Sequence, residues 1–334
     1  MKTISKNANL HKAKDAKNDE FYTHFDAIER ELKHYKKNFK DKVVYCNCDD
    51  PYESNFFKYF ALNFDTFGLK KLIATCYVGS PIANKQLSLF DNESAENKTT
   101  RHPHKIEITE IPDINQDGAV DLADVKLLLA SDRNHLTRLE GDGDFRSKEC
   151  IDLLKQADIV VTNPPFSLFR EFVAQLIQYD KEFLIIGSDD CRTYKDVFIH
   201  IKENKMWCGY TRVKEFMQPD GSIKNFGKIG WYTNLDVSIR HKSIVLYKEY
   251  NSNDHPKYDN YDAIEVSKIS DIPCDYEGVM GVPVTFLDKY NPNQFEILGS
   301  NRGVDQDPNK IFGRGTLLNG KETFKRIFIK HKKL

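Results

Sequence analysis

Apolar residues in this chain follow two alternating rhythms, and the switch between them outlines a fold. Phe25, Ile28, Leu32, Tyr35 and Phe39 recur at helical spacing, which predicts an amphipathic helix over Asp26–Asn38. Lys42–Cys46 carries a short continuous apolar run, as a strand buried on both faces does. Phe56–Phe64 returns to the helical period, and Lys71–Thr75 is a second buried strand. A strand–helix–strand unit of this kind begins a parallel sheet. After a polar, irregular insertion over 79–104, strand character resumes at Lys105–Ile111, Thr137–Leu139, Ile159–Thr162, Phe183–Ile186, Lys205–Tyr210, Ile229–Thr233 and Ser243–Tyr247. Helices are predicted over Val125–Ala130, Lys148–Gln156, Leu168–Ile177 and Tyr194–Asn204. Alternation persists to about residue 204 and then gives way to consecutive strands. The expected class is therefore α/β, a mostly parallel sheet closed by an antiparallel hairpin, with a smaller β-rich C-terminal part. The polar stretch Asn251–Tyr261 reads as a linker to that part.

The most specific string is Asn163-Pro164-Pro165-Phe166, directly behind the strand Ile159–Thr162. The exocyclic amine of a planar heterocycle is a poor nucleophile because its lone pair is delocalised. Two acceptors aimed at its hydrogens favour a more tetrahedral nitrogen. The Asn163 side-chain oxygen and the Pro164 carbonyl are such acceptors, and Phe166 can stack on an extruded base. The prolines fix φ and remove donors, so the turn presents acceptors only. A plain structural reading stands beside this one, since Asn before Pro-Pro is also an ordinary way to end a strand. Position decides in favour of chemistry, because open α/β sheets bind ligands at the carboxyl ends of their strands.

Length and composition narrow the classes. A chain of 334 residues with formal net charge -1 is long enough for one large core plus a smaller domain and is not a polycation, so any nucleic-acid surface is local. No leader and no run near eighteen apolar residues is evident, so neither secretion nor a membrane span is expected. Seven cysteines without framework spacing fit reduced thiols in a cytoplasm. Cys46-x-Cys48 lacks a second pair to complete a zinc site. Residues 1–18 hold Lys2, Lys6, Lys12, Lys14 and Lys17 against Asp15, a solvated tail that is also compatible with a basic arm ordering on phosphates.

The chain resembles the EcoRI-type adenine-specific DNA methyltransferases of restriction–modification systems, over nearly its whole length. The resemblance rests on Asn18–Thr23, Val43–Pro51, Gly141–Ser147, Asp158–Phe169, Phe226–Asp236 and Gly281–Gly299. It implies a Rossmann-like methyltransferase sheet over 19–250, a target-recognition region over 251–334, S-adenosylmethionine as methyl donor without any required metal, and N6-methyladenine in duplex DNA as product. It also implies that Asn163, Pro164, Pro165 and Phe166 are the catalytic motif. Tyr22 and Thr23 match the segment against the methionine part of the cofactor. Asp142, Asp144 and Phe145 match the loop near its adenine, and Cys46, Asn47, Asp49 and Asp50 match the loop after the first strand.

That last loop departs from methyltransferases at large. No glycine lies between Thr23 and Phe67, where a glycine-rich loop ordinarily lets the backbone approach the cofactor. Asp49 and Asp50 can accept bonds from ribose hydroxyls; one of them can equally cap a helix ahead of Pro51. Trp207, Tyr210, Trp231 and Tyr232 are expected mostly in the core, with Tyr232 the choice to face Phe166 across the base. Arg302 and Arg314, in glycine-containing loops, are candidates for reading guanine or contacting phosphate. The tail from Lys321 alternates basic residues with Phe324, Ile327, Phe328 and Ile329, as a phosphate-facing or a solvated edge strand does.

Asp113, Asn115, Asp117 and Asp124 fit the spacing of a calcium-binding loop whose last position is Asp instead of Glu. The same residues also make an Asx turn leading into a capped helix. Three functions follow as alternatives: a DNA adenine methyltransferase; a methyltransferase acting on RNA or on a glutamine amide; and a non-catalytic DNA-binding or calcium-binding module. A monomer, and a cognate restriction endonuclease in the same system, are the expected assembly and partner.

Overall fold

The structure is a computed structural model that describes residues 22–50, 54–77, 103–130, 137–217, 223–301 and 315–332. Strands β1 (Tyr22–Thr23), β2 (Val43–Asn47), β3 (Lys71–Thr75), β4 (His104–Ile108), β5 (Thr137–Arg138), β6 (Ile159–Thr162), β7 (Glu182–Ser188), β8 (Trp207–Met217) and β9 (Ile223–Thr233) form one sheet in the order β1-β8-β9-β7-β6-β2-β3-β4-β5. The centre, β7-β6-β2-β3, is parallel, whereas β4, β5 and β1 run antiparallel to their neighbours. β8 and β9 are adjacent, and residues 218–222 between them are too few for a parallel crossover, so they close the sheet as the expected hairpin. Every residue of β2 and β6 is buried, which explains why their sequences are apolar runs without alternation.

Helices α1 (Phe25–Leu32), α2 (Asn55–Leu62), α3 (Phe64–Phe67), α4 (Leu122–Ala130), α5 (Lys148–Gln156), α6 (Phe169–Gln178) and α7 (Lys195–Lys202) connect them. The helix predicted to reach Asn38 is α-helical only to Leu32 and continues as a 3₁₀ turn, Lys33–Asn38. Within it Glu31, polar in the sequence, is buried: it accepts from Tyr35 Oη at 2.9 Å and from the backbone and hydroxyl of Thr211 at 2.7 Å each. α3 ends on Gly68 at φ +61°, a conformation that favours glycine.

By compactness the chain divides into a first unit, 1–187 with 211–235, and a second, 188–210 with 236–334. The second contains a four-stranded sheet, β10 (Ile264–Glu265), β11 (Met280–Pro283), β15 (Arg326–His331) and β12 (Phe295–Ser300) in that order, and the pair β13 (Leu317–Leu318) and β14 (Lys321–Glu322). The fully buried Arg192 ties residues 188–210 to the later chain by pairing with Asp288 at 2.8 Å, and it also meets Asp189 of its own segment at 3.1 Å. Two expectations are corrected here. Asn251–Tyr261 is no linker: His255 and Tyr258 are buried, and His255 Nε2 meets the Asp271 carbonyl at 2.8 Å. Ser243–Tyr247 forms no strand. Its Ile244 backbone is held by the Gln294 side chain, and Val245 and Tyr247 are 79% and 71% exposed.

Candidate active site

From β2 the chain moves outward to β3, and later from β6 outward to β7 on the other side. The crevice between β2 and β6 is therefore the topological switch point, where the carboxyl ends of an open sheet leave room for a ligand. Both motif segments singled out in the sequence emerge there. Asn163-Pro164-Pro165 follows β6, and a 3₁₀ turn, Phe166–Leu168, leads into α6, closed by the Leu168 amide donating to the Pro165 carbonyl at 3.0 Å. Pro164 is buried, Pro165 and Phe166 are half-buried, and Asn163 is half-buried with its Oδ1 withdrawn from solvent.

The partner segment leaves β2. Cys46 and Asn47 are fully buried, and burial pushes the Cys46 thiol well above its usual range, so this neutral side chain belongs to the core. Cys48 takes φ +84°. The loop thus makes with a cysteine the positive-φ step that glycine-rich cofactor loops make with glycine, which is how it dispenses with one. Asp49 accepts from Ser54 Oγ at 2.6 Å and from Thr162 Oγ1. Ser54 in turn caps α2 by accepting from the amides of Phe56 and Phe57 at 3.1 and 3.3 Å. The helix cap expected of Asp49 or Asp50 is therefore Ser54, and Asp49 stands behind it.

The Gly141–Ser147 segment lies against the end of β3. Gly143 has φ +75°, and a Cβ there would sit 2.1 Å from the Cys76 carbonyl oxygen. Asp144 receives the Arg146 side chain at 2.8 and 2.7 Å, and that guanidinium holds its carboxyl below the usual range against partial burial. Phe145 is core, edge-on to Phe172 at 5.0 Å; Asp142 is exposed, its Oδ1 accepting from the Asp144 amide. On the opposite side, β1 pairs Thr23 with Phe216 of β8, and Asn55 Nδ2 donates to the Thr23 carbonyl at 2.8 Å.

Phe216 also lies 6.3 Å from Phe166, edge to face, so the sheet brings the Tyr22–Thr23 strand and the Asn163–Phe166 turn to one ring. Thr23 Oγ1 and Asn47 Nδ2 are buried polar atoms with no hydrogen-bond partner among the described residues. Orphaned donors of this kind, beside an acidic loop, suit a polar cofactor with amino, carboxylate and ribose groups, as S-adenosylmethionine has.

Other sequence candidates fall elsewhere. Tyr232 is fully buried, edge-on to Phe169 at 5.4 Å, so the ring beside Phe166 is Phe216 and not Tyr232. Trp231 is core against Phe56, whereas Trp207 lies under the Arg240 guanidinium at 3.9 Å and Tyr210 meets Ser238 in the second unit. Arg302 and Arg314 lie outside the described residues. In the calcium-like loop Asp113 accepts from the amides of Asp117 and Gly118, Asn115 from Asp117, and Asp124 from Ile114, Asn115 and Asp121. Those backbone bonds hold Asp124 below the usual carboxylate range. The loop is built as Asx turns closing on α4, and among the described residues no cluster of His, Cys, Asp or Glu is arranged to hold a metal ion. No described helix is long and apolar enough to cross a membrane.

Thr162, Ser54, Asn55 and Phe216 converge on the candidate site and were missed by sequence reasoning. Only Ser54 carried a local signal, as a hydroxyl ahead of an apolar helix.

Comparison with known proteins gives the family. The family described as "Adenine-specific methyltransferase EcoRI" matches residues 9–332. The type II methyltransferase M.EcoRI of Escherichia coli is 49% identical, over 97% of both chains. M.MgeORF184P of Mycoplasma genitalium is 36% identical over 97% of this chain and 99% of its own, and M.MpnI of Mycoplasma pneumoniae is 38% identical over 86% and 84%. No solved structure matches. The chain belongs to the EcoRI family of adenine-specific methyltransferases, and it is a site-specific, S-adenosylmethionine-dependent DNA adenine N6-methyltransferase of the restriction–modification type.

Proposed function

We propose that Asn163 and Pro164 bind the amine of an adenine flipped out of the duplex, that Phe166 stacks on its face, and that the β2–β6 crevice holds the cofactor. Adenine cannot present its amine from within a stacked pair, so the base must leave the helix. The Asn163 amide oxygen accepts one amine hydrogen and the Pro164 carbonyl the other. The two acceptors hold the nitrogen lone pair toward the incoming methyl, and the buried position of Oδ1 strengthens its bond. S-adenosylmethionine supplies an electrophilic methyl on a sulfonium centre. The amine proton becomes acidic once the methyl is attached and leaves to solvent, so no general base is assigned.

Tyr22, Thr23, Asn47, Asp49 and Asp50, with the backbone at Cys46, are placed around the methionine and ribose ends, and Asp142, Asp144 and Phe145 around the adenine end. A sulfonium donor has no phosphates to cradle, so a loop without glycine suffices. The second unit supplies target recognition, with Arg302 and Arg314 reading or clamping the duplex and the N-terminal lysines joining the phosphate contacts. A monomer in the cytoplasm methylates one strand per visit and protects DNA from a cognate endonuclease.

One observation carries the reading: the Asn-Pro-Pro-Phe turn leaves the switch-point strand and is bonded, through Thr162, to the loop after β2. Removing one hydrogen-bonding group that stabilises charge developing in a transition state costs about 10²–10³ in turnover, and the Asn163 oxygen is proposed to act in that way. Asn163→Ala should therefore lose methyl transfer to duplex DNA, read as N6-methyladenine after nucleoside digestion, while DNA affinity holds. Wild-type turnover in that variant would overturn the assignment.

A further inference from the structure

We infer that Thr162 and Asp49 are positioning residues that lock the catalytic turn to the cofactor loop. The inference rests on the assignment of Asn163 above and concerns how that residue is held. β2 and β6 pair along their backbones at Val44 with Ile159 and at Tyr45 with Val160. Two residues further on, at the open end of the crevice, a side chain spans the gap. The hydroxyl of Thr162 is directed at both the Asn47 carbonyl and Asp49 Oδ2. Thr162 immediately precedes Asn163, and Asn47 and Asp49 flank Cys48, whose φ of +84° turns the loop. The other Asp49 oxygen takes the Ser54 hydroxyl at 2.6 Å, and the Asp49 amide donates to the Thr75 carbonyl at 3.0 Å. Asp49, just past the end of β2, therefore joins β6 and the start of α2 through its carboxylate and the end of β3 through its backbone amide. All the side chains in this link, Thr162, Asp49 and Ser54, are buried.

A threonine is suited to this position. Its β-branch restricts χ1 in a strand, so the hydroxyl direction is set by the backbone of β6. Valine has the same shape without the donor, and serine keeps the donor without the branch. The link makes a distinctive demand on kinetics. Were Thr162 only a support for Asn163, its loss would lower kcat and leave cofactor binding alone. Were Asp49 only a cofactor ligand, its loss would raise the KM for S-adenosylmethionine without lowering kcat. A shared lock moves both quantities in either variant.

The test is a double-mutant cycle of Thr162→Val and Asp49→Asn in the full chain, with kcat, the KM for S-adenosylmethionine, the Kd for duplex DNA and thermal melting measured on each. Each single variant is expected to lower kcat at least tenfold and raise the cofactor KM at least threefold, with DNA affinity unchanged. The double variant should be little worse than the more damaged single one. Thr162→Ser should keep kcat within threefold of wild type.

Multiplicative effects in the double variant, a change confined to kcat or to KM, or a wild-type Thr162→Val would each overturn the lock. Should Thr162→Val not fold, Thr162→Ser against Thr162→Ala in the same assays carries the decision: equal loss in both overturns it. Asn163→Ala separates the two claims. If that variant is active, the assignment of Asn163 fails whatever the cycle shows; if it is inactive and the cycle is multiplicative, the lock alone fails.

Discussion

Gly187 offers a perturbation whose size can be worked from the structure. It lies buried in β7, and a Cβ added to it would stand 2.4 and 2.7 Å from Cε2 and Cζ of Phe169 and 3.0 Å from Cε2 of Tyr232. Carbon atoms in contact need about 3.5–4.0 Å, so the Phe169 ring must retreat by roughly 1 Å. That ring is fully buried and already edge-on to Tyr232 at 5.4 Å, so the displacement falls on the backbone of Phe169 as well. Phe169 opens α6 and directly follows the 3₁₀ turn Phe166–Leu168, so the shift reaches the Asn163–Phe166 turn.

Overpacking of this kind costs about 1–3 kcal/mol. At about 2–4 °C per kcal/mol for a unit of some 200 residues, Gly187→Ala should lower the melting temperature by roughly 2–12 °C. A misplacement near 1 Å at reacting groups can cost about a hundredfold in rate. Single-turnover methylation of duplex DNA at saturating cofactor should show a loss of that order. Phe169→Leu, added in the same chain, removes the ring edge and should return most of both losses. An unchanged melting temperature and rate in Gly187→Ala would refute the packing argument. A lower melting temperature with a wild-type rate would show that the strain stops short of the turn.

Three further expectations follow from other parts of the molecule. At Cys48, with φ +84°, glycine should be more stable than alanine by about 1 kcal/mol, because an L side chain at positive φ is strained; equal denaturation curves for Cys48→Gly and Cys48→Ala would contradict this. In the second unit Arg326 pairs with Glu265, which also accepts from Tyr258 in a buried cluster, so Arg326→Met leaves a buried carboxylate without its cation and should destabilise by about 3–5 kcal/mol in urea unfolding. A loss below about 1 kcal/mol would show the charge to be solvated instead. Arg146 holds the Asp144 carboxyl below its ordinary value of 3.8, so this bond stabilises the folded state fully above that value and is lost as pH falls through the lower folded value. The melting-temperature gap between wild type and Arg146→Met should therefore be flat near neutrality and narrow below about pH 4; a gap that widens on acidification would reverse the sign and exclude the mechanism.

Much of this was legible along the chain. Continuous apolar runs marked β2, β3, β6 and β7, since strands covered on both faces have no polar side to display. Asn163-Pro164-Pro165-Phe166 was legible because its chemistry resides in adjacent residues. The choice of adenine in DNA over RNA or a glutamine amide came from the family resemblance, the long region after residue 250 and the two basic ends, not from the turn, which presents the same acceptors to any planar amine. Ser243–Tyr247 misled because its apolar content matches a strand, yet pairing depends on a neighbouring edge that no local pattern encodes. Asn251–Tyr261 misled because the partners that bury His255 and Tyr258, Asp271 and Glu265, come later in the chain.

By itself the sequence determined the class of sheet, the succession of its central strands and helices along the chain and the acceptor turn, because each depends on residues within one element or one turn of it. Tertiary structure alone decided which distant residues serve that turn. Thr162 meets Asn47 and Asp49 across more than a hundred residues of chain, and Thr23 and Phe166 meet at Phe216 only because β1 joins the sheet edge beside β8. It also moved Tyr232 from the site to the core and gave the cap of α2 to Ser54 in place of an aspartate. The physical reason is range. Helical and strand periods are written in neighbouring residues, whereas hydrogen bonds across a crevice depend on strand order and register, which the whole sheet fixes at once.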